Sequence, residues 1–550
     1  MSRKSSDWWR GAVIYQIYPR SFMDSNGDGI GDLPGITARL DHVAGLGVDA
    51  IWVSPFFKSP MKDFGYDVAD YRQVDPMFGS LDDFDALLAR AHDLGLKVII
   101  DQVLSHTSDQ HAWFASSRAS RESPQADWYV WADPKPDGGP PNNWLSVFGG
   151  PAWQWDSRRR QYYMHSFLAE QPDLNFHCPA VQDALLEEVR FWCERGVDGF
   201  RFDACNHQFH DAQLRDNPAA SAQAIGSVTT VQADNPYAMQ LHRHDKSQPD
   251  NLAFLERLRT VLDEYGAVGL GEVGDDNAPP LMAQYTEAGK RLHLAYSFSL
   301  LTTEHNAKHL REQVQALDNA LARTKGWGCW AVSNHDVPRV SSRWSAGNPA
   351  DARRDKLWLS VLLALRGSAS VYQGEELGLP EAEVPFERLQ DPYGRAFWPE
   401  FKGRDGARTP MPWQADAGHG GFSAGHGEPW LPVSELHLPL AVDLQALDPL
   451  SMLNFSRGLL HWRRQQPLLR TGQMRFLDAP EPFLCFERFD GDAVLQAVFN
   501  LSGEAATLRL PQMLVPASGS PFLGARINDD LMLELPPYGV FMGVPVDAAA

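Results

Sequence analysis

The chain has 550 residues, 43% of them hydrophobic, and a formal net charge of −21 at pH 7. So acidic a surface repels nucleic acid and anionic lipid, which excludes both as expected partners but leaves a neutral small-molecule substrate open. By length alone the expectation is about three or four domains, unless an α/β barrel takes up most of the chain.

The chain begins with Met1-Ser-Arg-Lys-Ser-Ser-Asp-Trp-Trp9, which has charge but no apolar core, so no secretory signal is expected. No apolar run approaches the length of about 18 residues that a membrane helix needs. Residues 12–18 read as an apolar strand. Next comes Asp24-Ser-Asn-Gly-Asp-Gly-Ile-Gly-Asp32, with oxygen donors at alternate positions: Asp24, Asn26, Asp28, the Ile30 carbonyl and Asp32. That spacing wraps a hard cation such as Ca²⁺. Gly35 at the twelfth position and the absence of a preceding helix separate it from an EF-hand.

An alternation of helix and strand then sets in. The helices are expected at 35–46, 81–94, 179–194, 251–265, 279–290, 307–323, 351–366 and 451–465. The remaining strands are expected at 50–53, 97–103, 199–203, 268–272, 293–298, 329–333 and 370–373. Ser80 is a plausible N-cap and Gly95 a stop for the second helix. Eight short buried strands alternating with eight helices predict a closed (β/α)₈ barrel, occupying residues 1–106 and 179–466. Residues 107–178 interrupt the rhythm and are too long for a structureless loop, so they predict an inserted subdomain. Residues 205–250 form a second long excursion. From 467 to 550 the period changes to two, with Asp-Gly and Ser-Gly turns, predicting a C-terminal antiparallel β domain resembling a sandwich. The five cysteines, Cys178, Cys193, Cys205, Cys329 and Cys485, show no paired spacing and predict reduced thiols in the cytoplasm.

In such a barrel, chemistry sits where strands end. The third expected strand carries Asp101 and is followed by His106. The fourth ends in Val197-Asp-Gly-Phe-Arg-Phe-Asp203, so Arg201 and Asp203 share a face. The fifth ends at Glu272, the seventh runs into Asn334-His335-Asp336, and Tyr66-Asp67 follows the second. A cluster of acids at one mouth is costly unless it has a task. Two carboxylates facing one small substrate suit glycoside hydrolysis, one attacking the anomeric carbon and the other donating a proton. Arg201, two residues from Asp203, is expected to hold Asp203 ionised as the nucleophile. Glu272, with no cation adjacent in sequence, is expected to keep its proton.

These segments, with Gln171-Pro-Asp-Leu-Asn175, appear in the order found in the α-amylase family of glycoside hydrolases (family 13), which the chain resembles over nearly its whole length. The opening Ile14-Tyr-Gln-Ile-Tyr-Pro-Arg-Ser-Phe22, the Asp24–Asp32 loop and Arg408-Thr-Pro-Met-Pro-Trp413 are similar to the oligo-1,6-glucosidase and α-glucosidase branch. The resemblance implies a retaining, exo-acting α-glucosidase on small α-glucosides. In it Asp203 is the nucleophile, Glu272 the acid and then the base, and Asp336 the partner of ring hydroxyls. It implies that His106 and His335 bind the same sugar, that Arg201 orients Asp203, and that Tyr66 and Phe167 stack on glucose. Asp67 and Arg408 would pair at the closed end of the pocket. The loop of Asp24, Asn26, Asp28, Ile30 and Asp32 would hold a structural Ca²⁺, or Mg²⁺, far from the chemistry, and no organic cofactor is implied. A monomer or homodimer is expected. Ser105 stands where many members have Asn, so no sugar-side role is carried to it. Ala204, small where α-1,6-specific members have Val, favours α-1,4 linkages.

The same motifs serve transglucosidases that transfer α-glucose to sugar or phenolic hydroxyls, sucrose isomerases and trehalose-phosphate hydrolases. A non-catalytic reading, similar to ectodomains that escort amino-acid transporters, conflicts with the presence of all three acids.

Overall fold

The structure is a computed structural model that describes residues 7–226, 231, 234–345, 347–348, 350–425 and 427–546. Residues 1–6 of the N-terminal reading, and 227–230 and 232–233 of the 205–250 excursion, lie outside the described residues. Eight parallel strands form one sheet: β1 (Val13–Ile17), β2 (Ala50–Val53), β3 (Lys97–Val103), β4 (Gly199–Asp203), β5 (Val268–Val273), β6 (Leu294–Ser297), β7 (Cys329–Ala331) and β8 (Ser368–Tyr372). Their order is β6-β5-β4-β3-β2-β1-β8-β7, and a parallel bridge between Ala295 and Gly328 joins the two ends into a barrel.

Eight helices surround it: α1 (Leu33–Leu46), α2 (Leu81–Asp93), α3 (Pro179–Arg195), α4 (Asn251–Tyr265), α5 (Ala278–Tyr285), α6 (Ala307–Thr324), α7 (Ala352–Ala364) and α8 (Met452–Arg464). Local chemistry sets their ends. Ser80 and Asp83 form a reciprocal capping box at the start of α2, and Asp32 accepts from the Gly35 amide at the start of α1. Gly196, at φ 103°, closes α3 in the left-handed conformation that glycine adopts without strain. The one expected helix that shifts appreciably is 279–290. It ends at Tyr285, and residues beyond it turn back so that Thr286 caps onto Met282.

Strand alternation sorts side chains to the two faces of the barrel. On β4, Phe200 and Phe202 point outward into the core shared with the helices, and Arg201 and Asp203 point inward. Inside, Ile14, Ala50, Ile99, Val268, Leu270 and Leu294 fill the lower layers, beneath Trp52 and Tyr296. Above them the inner face turns polar: Gln16, Asp101, Arg201, Asp203 and Glu272 are all buried there.

Between β3 and α3, a short helix (Ala112–Ala119) and a small sheet of Trp131–Ala132, Gln161–Met164 and Trp153–Asp156 carry their own apolar cluster, including Val130, Trp144, Trp153 and Met164. After α8, a five-stranded antiparallel sheet and a three-stranded one pack across Phe483, Cys485, Val498, Leu514, Leu533 and Phe541. All five cysteines are free thiols. Among the described residues no helix is long and apolar enough to cross a membrane.

Gly199 opens the strand on which the inward acids depend. A Cβ there would lie 2.6 Å from the Val268 carbonyl oxygen on β5. Gly199→Ala should therefore destabilise the barrel by about 1–3 kcal/mol, read as a lower midpoint in urea unfolding.

Candidate active site

The ends of β3, β4, β5 and β6 meet on one guanidinium. Arg201 is fully buried, and its NH1 donates to Asp101 Oδ1 at 3.0 Å and to Asp203 Oδ1. Its NH2 donates to Glu272 Oε1 and, at 2.8 Å, to the Tyr296 hydroxyl. Asp203 and Glu272 thus sit on the two terminal nitrogens of one planar group. Both acids line the cavity, and Glu272 Oε2 also accepts the Ala204 amide at 3.0 Å. Ala204 adopts φ 39°, a strained value for a residue with a Cβ, and that turn aims its amide at Glu272.

Burial pushes Asp203 up to about 7, with Arg201 opposing and Asp101 adding to the rise. Burial likewise pushes Glu272 up to about 7 against Arg201, reinforced by Asp203 and Asp336. Asp101 rises to about 6 for the same reason. The expectation that Arg201 holds Asp203 ionised while Glu272, with no cation adjacent in sequence, keeps its proton is therefore corrected: burial raises both acids alike and Arg201 touches both, because β4 and β5 are adjacent parallel strands pairing Leu270 with Arg201 and Gly271 with Phe202. Three carboxylates around one cation carry a net excess of negative charge, which favours retention of a proton in the cluster.

Asp336 is different. Burial opposes its ionisation, but His335, Arg404 and Arg408 hold it well below the usual carboxylate range. Arg404 and Arg408 each reach its Oδ1 at 3.1 Å, and His335 Nε2 lies 3.3 Å from its Oδ2. Gln16 donates to His335 Nδ1 at 2.8 Å, which leaves the proton on Nε2, 2.6 Å from the Tyr66 hydroxyl. Tyr66 in turn donates to Asp101 Oδ2, and its ring lies parallel to His335 at 5.3 Å. Burial lowers His335 to about 3 and His106 to about 4, so both act as neutral imidazoles.

The cavity above these groups encloses about 400 Å³ and is lined by Tyr66, His106, Phe167, Asp203, Glu272, His335 and Asp336, together with Asp63, Phe148, Gln171 and Arg404. That volume suits one or two sugar rings. Phe167 packs against His106 and Phe148 on the wall.

The expected Asp67–Arg408 pair does not form. Asp67 is fully buried below the cavity, where it accepts from Ser59 Oγ at 2.9 Å and from the Lys62 and Asp63 amides at 2.8 and 3.0 Å. Those bonds fold the turn that presents Asp63. Arg408 lies behind Asp336, bonded to the His335 carbonyl at 2.7 Å. The pair at the closed end is Asp63–Arg404 at 2.8 Å, with Asp391 on the same guanidinium at 2.7 Å. Each true partner lies four residues before the expected one, in segments with an acid or an arginine at both positions, so the sequence did not choose between them. Tyr296 and Trp52 were also missed. Their signal is the two-residue period of β2 and β6, which puts them on the inner face, where Tyr296 bonds Glu272 and Trp52 bonds Asp101.

The Asp24–Asp32 loop lies outside this cavity. Its donor set is of the hard-oxygen kind, but the carboxylates are turned to the loop itself. Asp24 accepts from the Asn26, Gly27 and Gly29 amides, Asp28 from Ile30, and Asp32 from Ser25 and Gly35. Among the described residues, no three His, Cys, Asp or Glu side chains are grouped to hold a metal.

Residues 16–472 match the family model for the alpha amylase catalytic domain. The chain belongs to the α-amylase family of glycoside hydrolases. It is 54% identical over 538 residues to a probable alpha-glucosidase of Rhizobium meliloti, covering 97% of this chain and 96% of that protein. It is 35% identical to an oligo-1,6-glucosidase of Heyndrickxia coagulans, covering 92% and 94%. Among solved structures, the alpha-glucosyl transfer enzyme XgtA superposes with a TM-score of 0.94 at 55% identity, over 98% of this chain and 99% of that one. The trehalulose synthase MutB of Pseudomonas mesoacidophila MX-45 superposes at 0.87 with 32% identity, over 98% and 99%.

Removing Arg404 would leave Asp63, Asp391 and part of Asp336 buried without their cation. Arg404→Met should cost about 3–5 kcal/mol in chemical denaturation, the loss expected when one partner of a buried ion pair is deleted.

Proposed function

We propose that the protein is a retaining, exo-acting α-glucosidase that releases α-glucose from the non-reducing end of short α-glucosides. The observation that carries this reading is the pair of Asp203 and Glu272 on one guanidinium, facing a cavity closed at its far side by Asp63 and Arg404. Asp203 attacks the anomeric carbon through the oxygen not bonded to Arg201, and Glu272 gives its proton to the departing glycosidic oxygen. A β-glucosyl ester results. Glu272, now a carboxylate, takes a proton from water, and the hydroxide oxygen displaces Asp203 with a second inversion. Such pairs stand about 5–5.5 Å apart in retaining enzymes, a spacing that two acids on one guanidinium can meet.

Asp336, ionised, is suited to hold sugar hydroxyls and to favour positive charge building on the ring. Neutral His106 and His335 can each exchange a hydrogen bond with a hydroxyl, and Tyr66 and Phe167 supply ring faces to stack on. Asp63 and Arg404 take over the gripping role expected of Asp67 and Arg408, and block entry of a chain from the far side.

Maltose-type α-1,4 linkages are the proposed preference, because Ala204 leaves room beside Asp203 and Glu272. Faster turnover of isomaltose than of maltose would overturn that preference. Transfer of glucose to another hydroxyl is the second reading. It is favoured by the 55% identity to a glucosyl transfer enzyme and by apolar Phe148, Tyr237, Phe298, Leu301 and Val337 around the cavity. Chromatography of products from maltose, sucrose and a phenolic acceptor separates the two: glucose alone supports hydrolysis, new glucosides support transfer, and isomerised sucrose supports the MutB-like reaction. The five free thiols support a reducing compartment such as the cytoplasm.

Asp203→Ala should abolish turnover of an aryl α-glucoside, by at least about 10⁴-fold in kcat, and retained activity refutes the nucleophile assignment. With Asp203 and Glu272 both raised to about 7, the working pair holds one proton near neutrality. As pH rises past about 7 that proton leaves and kcat/KM should fall; as pH drops a second proton arrives and kcat/KM should fall again. A profile flat from about pH 5 to about pH 9 is the contrary result.

We also propose that Asp24, Asn26, Asp28, Asp32 and the Ile30 carbonyl bind Ca²⁺, or Mg²⁺, as a structural ion, on the strength of donor chemistry and spacing. Treatment with EDTA should lower Tm by several degrees and Ca²⁺ should restore it; an unchanged Tm and no ⁴⁵Ca²⁺ retention on gel filtration count against the site.

A further inference from the structure

Tyr296 stands directly opposite Glu272 in the β5–β6 register. It is 1% exposed, and its ring packs on Trp52 at the centre of the barrel. Its hydroxyl accepts from Arg201 NH2 at 2.8 Å and donates to Glu272 Oε1 at 2.9 Å. Arg201 NH2 reaches the same Oε1. Among the described residues, Glu272 Oε1 therefore has two donors, one of them cationic, whereas Oε2 has only the Ala204 amide.

We infer that Tyr296 is a positioning residue for Glu272, which locks Oε1 into the barrel floor and leaves Oε2 as the oxygen that carries the catalytic proton. The inference rests on the reading of Glu272 as acid and base. The physical argument is one of asymmetry. A carboxylic acid puts its proton on the oxygen less engaged by donors, because a donor aimed at a protonated oxygen meets the weaker acceptor. Two donors on Oε1 make that oxygen the carbonyl-like one. The proton then resides on Oε2, beside Ala204 and the cavity. The hydroxyl can play this part over the whole working range, since burial and its carboxylate neighbours keep it a neutral O–H donor. With Arg201 and Tyr296 on Oε1 and the Ala204 amide on Oε2, the terminal Glu272 torsion is held from both oxygens, and the Tyr296 hydroxyl adds the second donor on Oε1.

Tyr296→Phe deletes one oxygen and keeps the ring against Trp52. In the variant, kcat/KM for maltose, whose sugar leaving group needs the proton, should fall by about tenfold or more. For 4-nitrophenyl α-glucoside, whose phenolate departs with little help, it should fall much less. The ratio of the two is taken on one preparation, so any loss of folded enzyme cancels. The basic limb of the maltose profile should also move to higher pH, because the Glu272 carboxylate loses a donor that stabilised its charge. Equal losses on both substrates with an unmoved limb overturn the role of Tyr296. Glu272→Gln is the control for the underlying reading. It should lose maltose turnover, and azide should restore cleavage of the nitrophenyl substrate as glucosyl azide. If Glu272→Gln instead turns over maltose normally, the acid assignment fails, and with it the inference.

Discussion

A single guanidinium is the constraint on which the rest of this barrel depends. Arg201 lies fully buried on the inner face of β4 and bonds to Asp101, Asp203, Glu272 and Tyr296, from β3, β4, β5 and β6. Without it, three buried carboxylates would face one another at the cavity floor with no cation among them, and burial and mutual repulsion would drive them to take up protons. With it, one positive charge serves three negative ones, and the remaining excess raises the affinity of the cluster for a proton. Structural necessity and the chemistry of proton donation come from the same imbalance.

The opposite wall of the cavity has the reverse balance. Arg404 and Arg408 converge on Asp336, and Arg404 also holds Asp63 and Asp391. Asp336 consequently stays ionised where Asp203 and Glu272 resist it. Two acidic centres within one cavity are thus set to different protonation states by the number of arginines each is given. The neutral imidazole of His335 lies beside Asp336, and the chain Gln16–His335–Tyr66–Asp101 links the two walls through directed hydrogen bonds. Such a link makes the geometry of one wall sensitive to the other.

Much of the fold was legible because the signals are local. Short apolar runs placed 50–53 and 97–103, and alternation placed 199–203, with the bounds the structure has, and the Ser80 cap and Gly196 stop mark helix ends through contacts within a few residues. The period of two on β4 was enough to put Arg201 and Asp203 on one face. What failed was choice among equivalents. Asp63 and Asp67 both flank Tyr66, and Arg404 and Arg408 both belong to one short segment. Only the turn closed by the Asp67 side chain on the Lys62 and Asp63 amides turns Asp63 toward the cavity.

The sequence by itself determined which residues share a face, where strands end, and hence that acids gather at one mouth of a barrel, because these follow from periods of two and 3.6 along a covalent chain. Tertiary structure alone decided which charges meet. Arg201 stands two residues from Asp203 and 71 from Glu272, yet bonds both. Proximity along the chain predicts only the first of these contacts. The second exists because adjacent parallel strands in a closed barrel bring residues far apart in sequence to the same height, and electrostatics responds to distance in space.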